Sequence, residues 1–263
     1  MTTVEPYRPH EGKIVLVTGG ARGIGRDIVR EFARAGAYVV VNYFHAVDEA
    51  EDLSTELRAT GARHKLLRGS VAKADQVQQM FEQINTDLGR LDILINNAAS
   101  GALSPLDTLT SRDWERAINT NILGALWCSQ QAAPLMTRRG GGAIINLSST
   151  GASSVLPGYA AIGTTKAAVE ALTRYLAAEY APRNIRVNTA SAGPLDTPVL
   201  TRFPSPDTFR ATIEHTTPLG HRLGKPAELT ALISFLASPQ ASWITGQTIL
   251  ADGGLSLNPA PSS

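Results

Sequence analysis

Seven short, nearly unbroken apolar runs punctuate the chain, at 13–18, 38–42, 64–68, 92–96, 143–147, 185–189 and 248–251. None alternates strictly with polar residues, so each reads as a strand covered on both faces rather than one face-up to water. Between them, apolar positions recur with helical period at 24–35, 47–60, 74–88, 111–138, 159–181 and 226–237. Strand and helix in regular turn predict right-handed crossovers. The expected fold is therefore α/β, a Rossmann-type doubly wound parallel sheet of seven strands flanked by helices.

Composition narrows this picture little but excludes much. At 263 residues with 43% hydrophobic and 18% charged positions, the chain suits a single globular domain spanning 1–263. A formal charge of +1 argues against a nucleic-acid surface or a membrane-binding basic face. No apolar run reaches the roughly 18 residues of a membrane span. The first residues lack a secretory signal pattern, and the single cysteine, Cys128, excludes an internal disulfide. A reducing, cytoplasmic setting is expected. The five histidines show no ligand spacing, so no metal site is expected. Frayed ends are expected at 1–11 and 256–263. The proline-rich stretch 193–225 reads as a long loop of the kind that covers substrate.

Chemistry first enters at Thr18-Gly19-Gly20-Ala21-Arg22-Gly23-Ile24-Gly25, between the first strand and the first helix. Glycines there permit a tight turn and close backbone approach to a pyrophosphate, which the positive end of the following helix attracts. Thr18, Gly19, Arg22, Gly23, Ile24 and Gly25 are therefore candidates for dinucleotide binding. The spacing Gly-x-x-x-Gly-x-Gly resembles the short-chain dehydrogenase/reductase family. Asn96-Asn97-Ala98, Asn121, Ser148-Ser149, Lys166 and Asp252-Gly253-Gly254 extend the likeness over nearly the whole chain.

The resemblance implies strand order 3-2-1-4-5-6-7 and a homodimer or homotetramer built through the helices near 111–138 and 159–181. It assigns Asn97 and Ala98 to the adenosine-ribose side of the cofactor and Ile145–Ser148 to the nicotinamide floor. Gly193, Leu195 and Thr197 fall near the carboxamide, and Ser70 and Val71 complete the expected cofactor contacts. The second strand runs into Asn42-Tyr43-Phe44-His45 with no acid until Asp48. An acidic residue there would bind the ribose hydroxyls of NAD and repel a 2′-phosphate. With Arg22, Asn42 and Tyr43 in place of one, NADPH is the expected cofactor.

Most of the family carries Tyr-x-x-x-Lys, but the position four before Lys166 is Ile162, which cannot carry a proton. Tyr159 stands seven before the lysine, on nearly the same helix face as a residue four before it and about 4.5 Å further along the axis. A displaced phenol suits reduction of an α,β-unsaturated thioester, whose oxygen lies three bonds from the hydride-accepting carbon. Tyr-x6-Lys also resembles the spacing of the third-type NADPH-dependent enoyl-acyl-carrier-protein reductases. The expected function is accordingly enoyl-thioester reduction, on chains carried by acyl carrier protein or coenzyme A in fatty-acid or polyketide-like metabolism. Tyr159 is the expected catalytic group and Ser149 orients substrate. Lys166 binds the nicotinamide ribose and lowers the phenol pKa, and Asn121 supports a water relay. Two alternatives stay open: a ketone or alcohol oxidoreductase of the 3-oxoacyl reductase type, and a non-catalytic nucleotide-binding regulator or scaffold.

Overall fold

Alternating strands and helices build three layers. The computed structural model describes residues 8–257. The strands are β1 (Ile14–Val17), β2 (Tyr38–Tyr43), β3 (His64–Arg68), β4 (Ile93–Asn96), β5 (Gly142–Ser149), β6 (Ile185–Ala192) and β7 (Thr248–Ala251). They form one sheet in the order 3-2-1-4-5-6-7, with every pairing parallel. The order reverses between β1 and β4, where a crevice opens at the strands' carboxyl ends.

Because successive strand residues point to opposite faces, the central strands feed two cores, whereas edge strand β7 gives only Ile249 to one of them and leaves Leu250 exposed. Leu16, Val40, Leu94 and Ile144 point to α3 (Ala74–Leu88), α5 (Gly124–Thr137) and α6 (Ala160–Tyr180). Val15, Val41, Ile95 and Ile145 point the other way, to α1 (Gly23–Arg34), α2 (Val47–Ala59) and α8 (Pro226–Ala237). That double burial is why the strands read as solid apolar runs.

Three expectations need correction. The helical period at 111–138 is not one helix: α4 (Ser111–Ala117) passes through a π-turn at Ile118–Leu123 before α5 begins. The stretch 193–225 is not a structureless loop, because it holds a short 3-10 turn at Pro198–Arg202 and α7 (Pro206–Thr216). Pro206 stands in the first turn of α7, where proline is tolerated, so the prolines begin this helix rather than forbid it. The expected fraying at 1–11 lies partly outside the described residues, but His10 is buried and its Nε2 lies 3.0 Å from the Ser234 hydroxyl on α8. At the other end Ser256 is tied to Asp252, and 258–263 lie outside the described residues.

Candidate active site

The turn after β1 is fastened from both sides. The Thr18 hydroxyl accepts from the backbone N–H groups of Asn97 and Ala98 at 3.0 and 3.1 Å. The Asn97 amide donates to the carbonyls of Thr18 and Gly19 at 2.8 and 3.0 Å. Asn42 accepts from Gly19 N–H through its side chain and from Gly20 N–H through its carbonyl. Its own amide donates inward to Leu67 and Gly69 carbonyls. Asn42 is therefore buried scaffolding, and the expectation that it donates to a 2′-phosphate is corrected. Asn97 likewise spends its side chain under the loop.

This cradle fits a dinucleotide. Gly19 and Gly23 hold φ of +62° and +53°, in the left-handed region that favours glycine. A Cβ on Gly25 would stand 2.2 Å from the Gly19 carbonyl oxygen, so only glycine lets the helix start so close to the turn. Above Gly23, at the first turn of α1, the space is open. Ile24 packs against the α1-side core while Arg22 is exposed. Tyr43, half-buried, ends β2, and Ser70 and Val71 are buried just past β3. Gly193 passes within 3.0 Å, at its would-be Cβ, of Asp252. Leu195 bridges to Gly224, and Thr197 begins the turn beyond.

Across the crevice stand the reactive side chains. Lys166, buried on α6, donates to the Leu147 carbonyl at 2.8 Å, and burial pulls its pKa down to about 8. Asn121 lies in the π-turn and is wholly engaged. Its amide oxygen accepts from Ser100 N–H at 2.8 Å, and its NH2 donates to the Ser100 carbonyl and the Thr165 hydroxyl. A small cavity of about 10 Å³, room for one water, lies between Thr18, Asn96, Asn121 and Lys166. Ser148 turns its hydroxyl to Glu170 on α6 at 2.6 Å, so only its backbone faces the crevice.

Tyr159 is where the helical arithmetic breaks. It caps α6 from outside, at φ −102° and ψ 7°, so counting turns back from Lys166 does not give its direction. Its ring folds over Gly151, where a Cβ would lie 2.6 Å from the ring carbons, and this turns its hydroxyl toward Ser149 without a direct hydrogen bond to it. Ile162 instead packs against Gly101. The chain thus pairs a tyrosine with Ser149 from one turn before the usual position. Burial raises the phenol pKa above its ordinary value, opposed by the nearby Ser149 hydroxyl. The expected lowering by Lys166 is corrected: desolvation dominates, and it acts on both groups. Sequence reasoning missed Gly151, although a glycine two places past Ser149 was a visible signal. It also missed Phe203, whose ring stacks on Tyr159 at 5.8 Å and to which no spacing pointed.

Comparison with known proteins agrees with the fold. A family model described as enoyl-(acyl carrier protein) reductase matches residues 19–256. The 3-oxoacyl-[acyl-carrier-protein] reductase FabG of Staphylococcus epidermidis is 37% identical over 243 residues, covering 92% of this chain and 98% of that protein. A gluconate 5-dehydrogenase from Burkholderia cenocepacia, solved with NADP and tartrate, superposes with a TM-score of 0.88 at 32% identity, covering 95% of this chain and 98% of the other. A 7α-hydroxysteroid dehydrogenase complexed with NADH and 7-oxo glycochenodeoxycholic acid gives a TM-score of 0.88 at 32% identity, over 94% and 96%. These relatives are named for work on ketones and alcohols, which overturns the expectation of double-bond reduction. The physical reason is the one above: Tyr159 lies outside α6, so helix geometry does not set where its phenol points.

Proposed function

The chain belongs to the short-chain dehydrogenase/reductase family and is an oxidoreductase, and we propose that it interconverts a ketone and a secondary alcohol with NADP(H). The observation that carries this reading is the Tyr159 ring folded over Gly151, which turns the phenol to the Ser149 side of the crevice. Two hydroxyls converging on one point suit a single carbonyl oxygen, bonded directly to the carbon that changes oxidation state. A nicotinamide held in the cradle would supply the hydride for reduction and accept one in oxidation. The chain's own groups handle the proton. Ser149 and Tyr159 hydrogen-bond the substrate oxygen, and Tyr159 donates its proton as negative charge develops there. Lys166 brings a buried ammonium that donates to the Leu147 carbonyl and whose remaining N–H donors would hold a cofactor ribose.

NADP(H) is favoured over NAD(H) by exposed Arg22 in the glycine turn and by the lack of a carboxylate between Asn42 and Ala46. Relatives solved with NADP and with NADH support a nicotinamide cofactor in general. Among substrates, a 3-oxoacyl thioester is the first to try, given the S. epidermidis relative. A homo-oligomer is part of the same proposal, supported by the exposed apolar residues Tyr175 on α6 and Phe235 on α8. Light scattering that returned a monomer mass would remove it.

The deciding assay follows nicotinamide absorbance with acetoacetyl-CoA, a 3-oxosteroid and crotonyl-CoA, in wild type and Tyr159→Phe. Oxidation of NADPH with a ketone, lost in Tyr159→Phe while NADPH still binds, is the expected result. Turnover of crotonyl-CoA alone, or cofactor binding with no turnover, overturns it.

A further inference from the structure

Tyr159 has an unusual mechanical problem. Its backbone is held by its N–H to the Leu156 carbonyl and by Gly163 N–H to its own carbonyl. Yet, as a residue outside α6, its ring is not confined by the helix surface that limits rotamers further along. Gly151 bounds it on one side. Phe203 lies nearly parallel against it, at 5.8 Å and 14°. Phe203 in turn stacks on Phe209 of α7 at 4.5 Å and 6°.

Phe203 and Phe209 belong to a small separate core. Leu200, Ile213 and Leu223 are its buried members, and the two phenylalanines pack against it. The segment carrying this core is closed at its base by the Leu195–Gly224 bridge, with Asp196 N–H to the Gly224 carbonyl at 2.8 Å and Gly224 N–H to the Pro194 carbonyl at 3.1 Å. Arg210 of α7 reaches Asp196 at 2.6 Å. The segment 196–223 is thus a flap with its own small core, completed by Leu255 and tied to the chain after β7 by Leu219 N–H to the Gly253 carbonyl, and its aromatic plate ends on the phenol.

We propose that Phe203 is a positioning residue that seats the Tyr159 hydroxyl against Ser149 when the 196–223 flap is folded over the site. The inference rests on Tyr159 as the acid, and it makes the acid's placement depend on the flap. Phe203 acts through the ring of Tyr159. Ser149 from β5 is the polar group facing the phenol, and Lys166 from α6 is the buried cation of the site.

The test compares full-length wild type, Phe203→Leu, Phe203→Tyr and Tyr159→Phe. One readout is steady-state reduction of acetoacetyl-CoA by NADPH. The other is the near-ultraviolet titration of the Tyr159 phenol, obtained by subtracting the Tyr159→Phe curve, which needs no substrate. Phe203→Leu keeps an apolar side chain but loses the ring. It is expected to lower kcat about tenfold or more, as misplacement of a reacting group does, with KM and the NADPH Kd within about twofold. Its Tyr159 titration is expected at lower pH than in wild type, because water reaches the phenol. Phe203→Tyr, which restores a ring, is expected to recover both. An unmoved phenol titration in Phe203→Leu overturns the proposal, as does a kcat loss that Phe203→Tyr fails to rescue. Full activity in Tyr159→Phe sinks the acid assignment itself, while the titration still reports whether Phe203 seats the ring.

Discussion

At the scale of single residues, the site depends on glycines that permit contact and on polar groups with no spare bonds. Gly25→Ala would drive a methyl into the Gly19 carbonyl, 2.2 Å from where it must stand, and into the Asn97 amide at 2.6 Å. The variant should fold, yet its NADPH affinity should fall at least about tenfold, roughly 1.4 kcal/mol, by fluorescence titration. Wild-type affinity would mean the turn does not hold the cofactor. The raised phenol pKa of Tyr159 sets the sign of a pH effect. Reduction needs the protonated phenol, so its kcat should stay level through neutral pH and fall only on the alkaline side. Oxidation needs the phenolate and should rise with pH, both limbs vanishing in Tyr159→Phe. Cys128 is fully buried and its thiol is pushed up to about 12, so a thiol reagent should label it only after unfolding. Labelling of the native protein at the rate of a free thiol would contradict the packing of α5.

Among elements, the two that matter most for chemistry are the least regular. The π-turn at Ile118–Leu123 brings Asn121 between the Ser100 loop and Thr165 of α6. Asn121→Ala should strand the backbone N–H and carbonyl of half-buried Ser100, remove a donor from the buried Thr165 hydroxyl, and cost about 1–3 kcal/mol of stability, read as a shift in the denaturant midpoint. A shift near zero would mean the clamp is not made in solution. The flap is built on a three-residue core apart from the two large ones. Ile213→Ala should therefore speed amide hydrogen exchange across α7 while β4, β5 and β6 stay protected. Equal acceleration in the sheet would show that the flap is no separate unit. The period-reading of 159–181 located α6 to within a residue at each end, but that one residue is Tyr159, and helix geometry ends where it begins.

For the molecule as a whole, the sheet order and its two cores join distant segments, and His10 is a clear case. It meets Ser234 at 3.0 Å and packs at a tilt against Phe32, ring centres 4.5 Å apart, and burial lowers its pKa from 6.5 to about 4. The unfolded chain therefore takes up a proton that the native state refuses, so stability falls as pH drops from 6.5 toward 4 and levels below that. The contribution at stake is at most about 3 kcal/mol. It should show as wild type losing ground to His10→Gln in denaturation midpoints between pH 7 and pH 4.5; parallel loss in both would exclude it. No helix among the described residues is long and apolar enough to cross a membrane. By itself the sequence determined whatever depends on local periodicity and backbone permissiveness: seven strands, the helices between them, the glycine turn and the lysine of the site. Burial on both faces writes itself as apolar runs, and a positive φ writes itself as glycine. Only the tertiary structure decided that Asn42 turns inward, that the 206–216 segment is a helix, and that Tyr159 reaches back to Ser149. Those outcomes are set by side-chain directions and contacts between segments far apart in the chain, and no spacing along one segment encodes them.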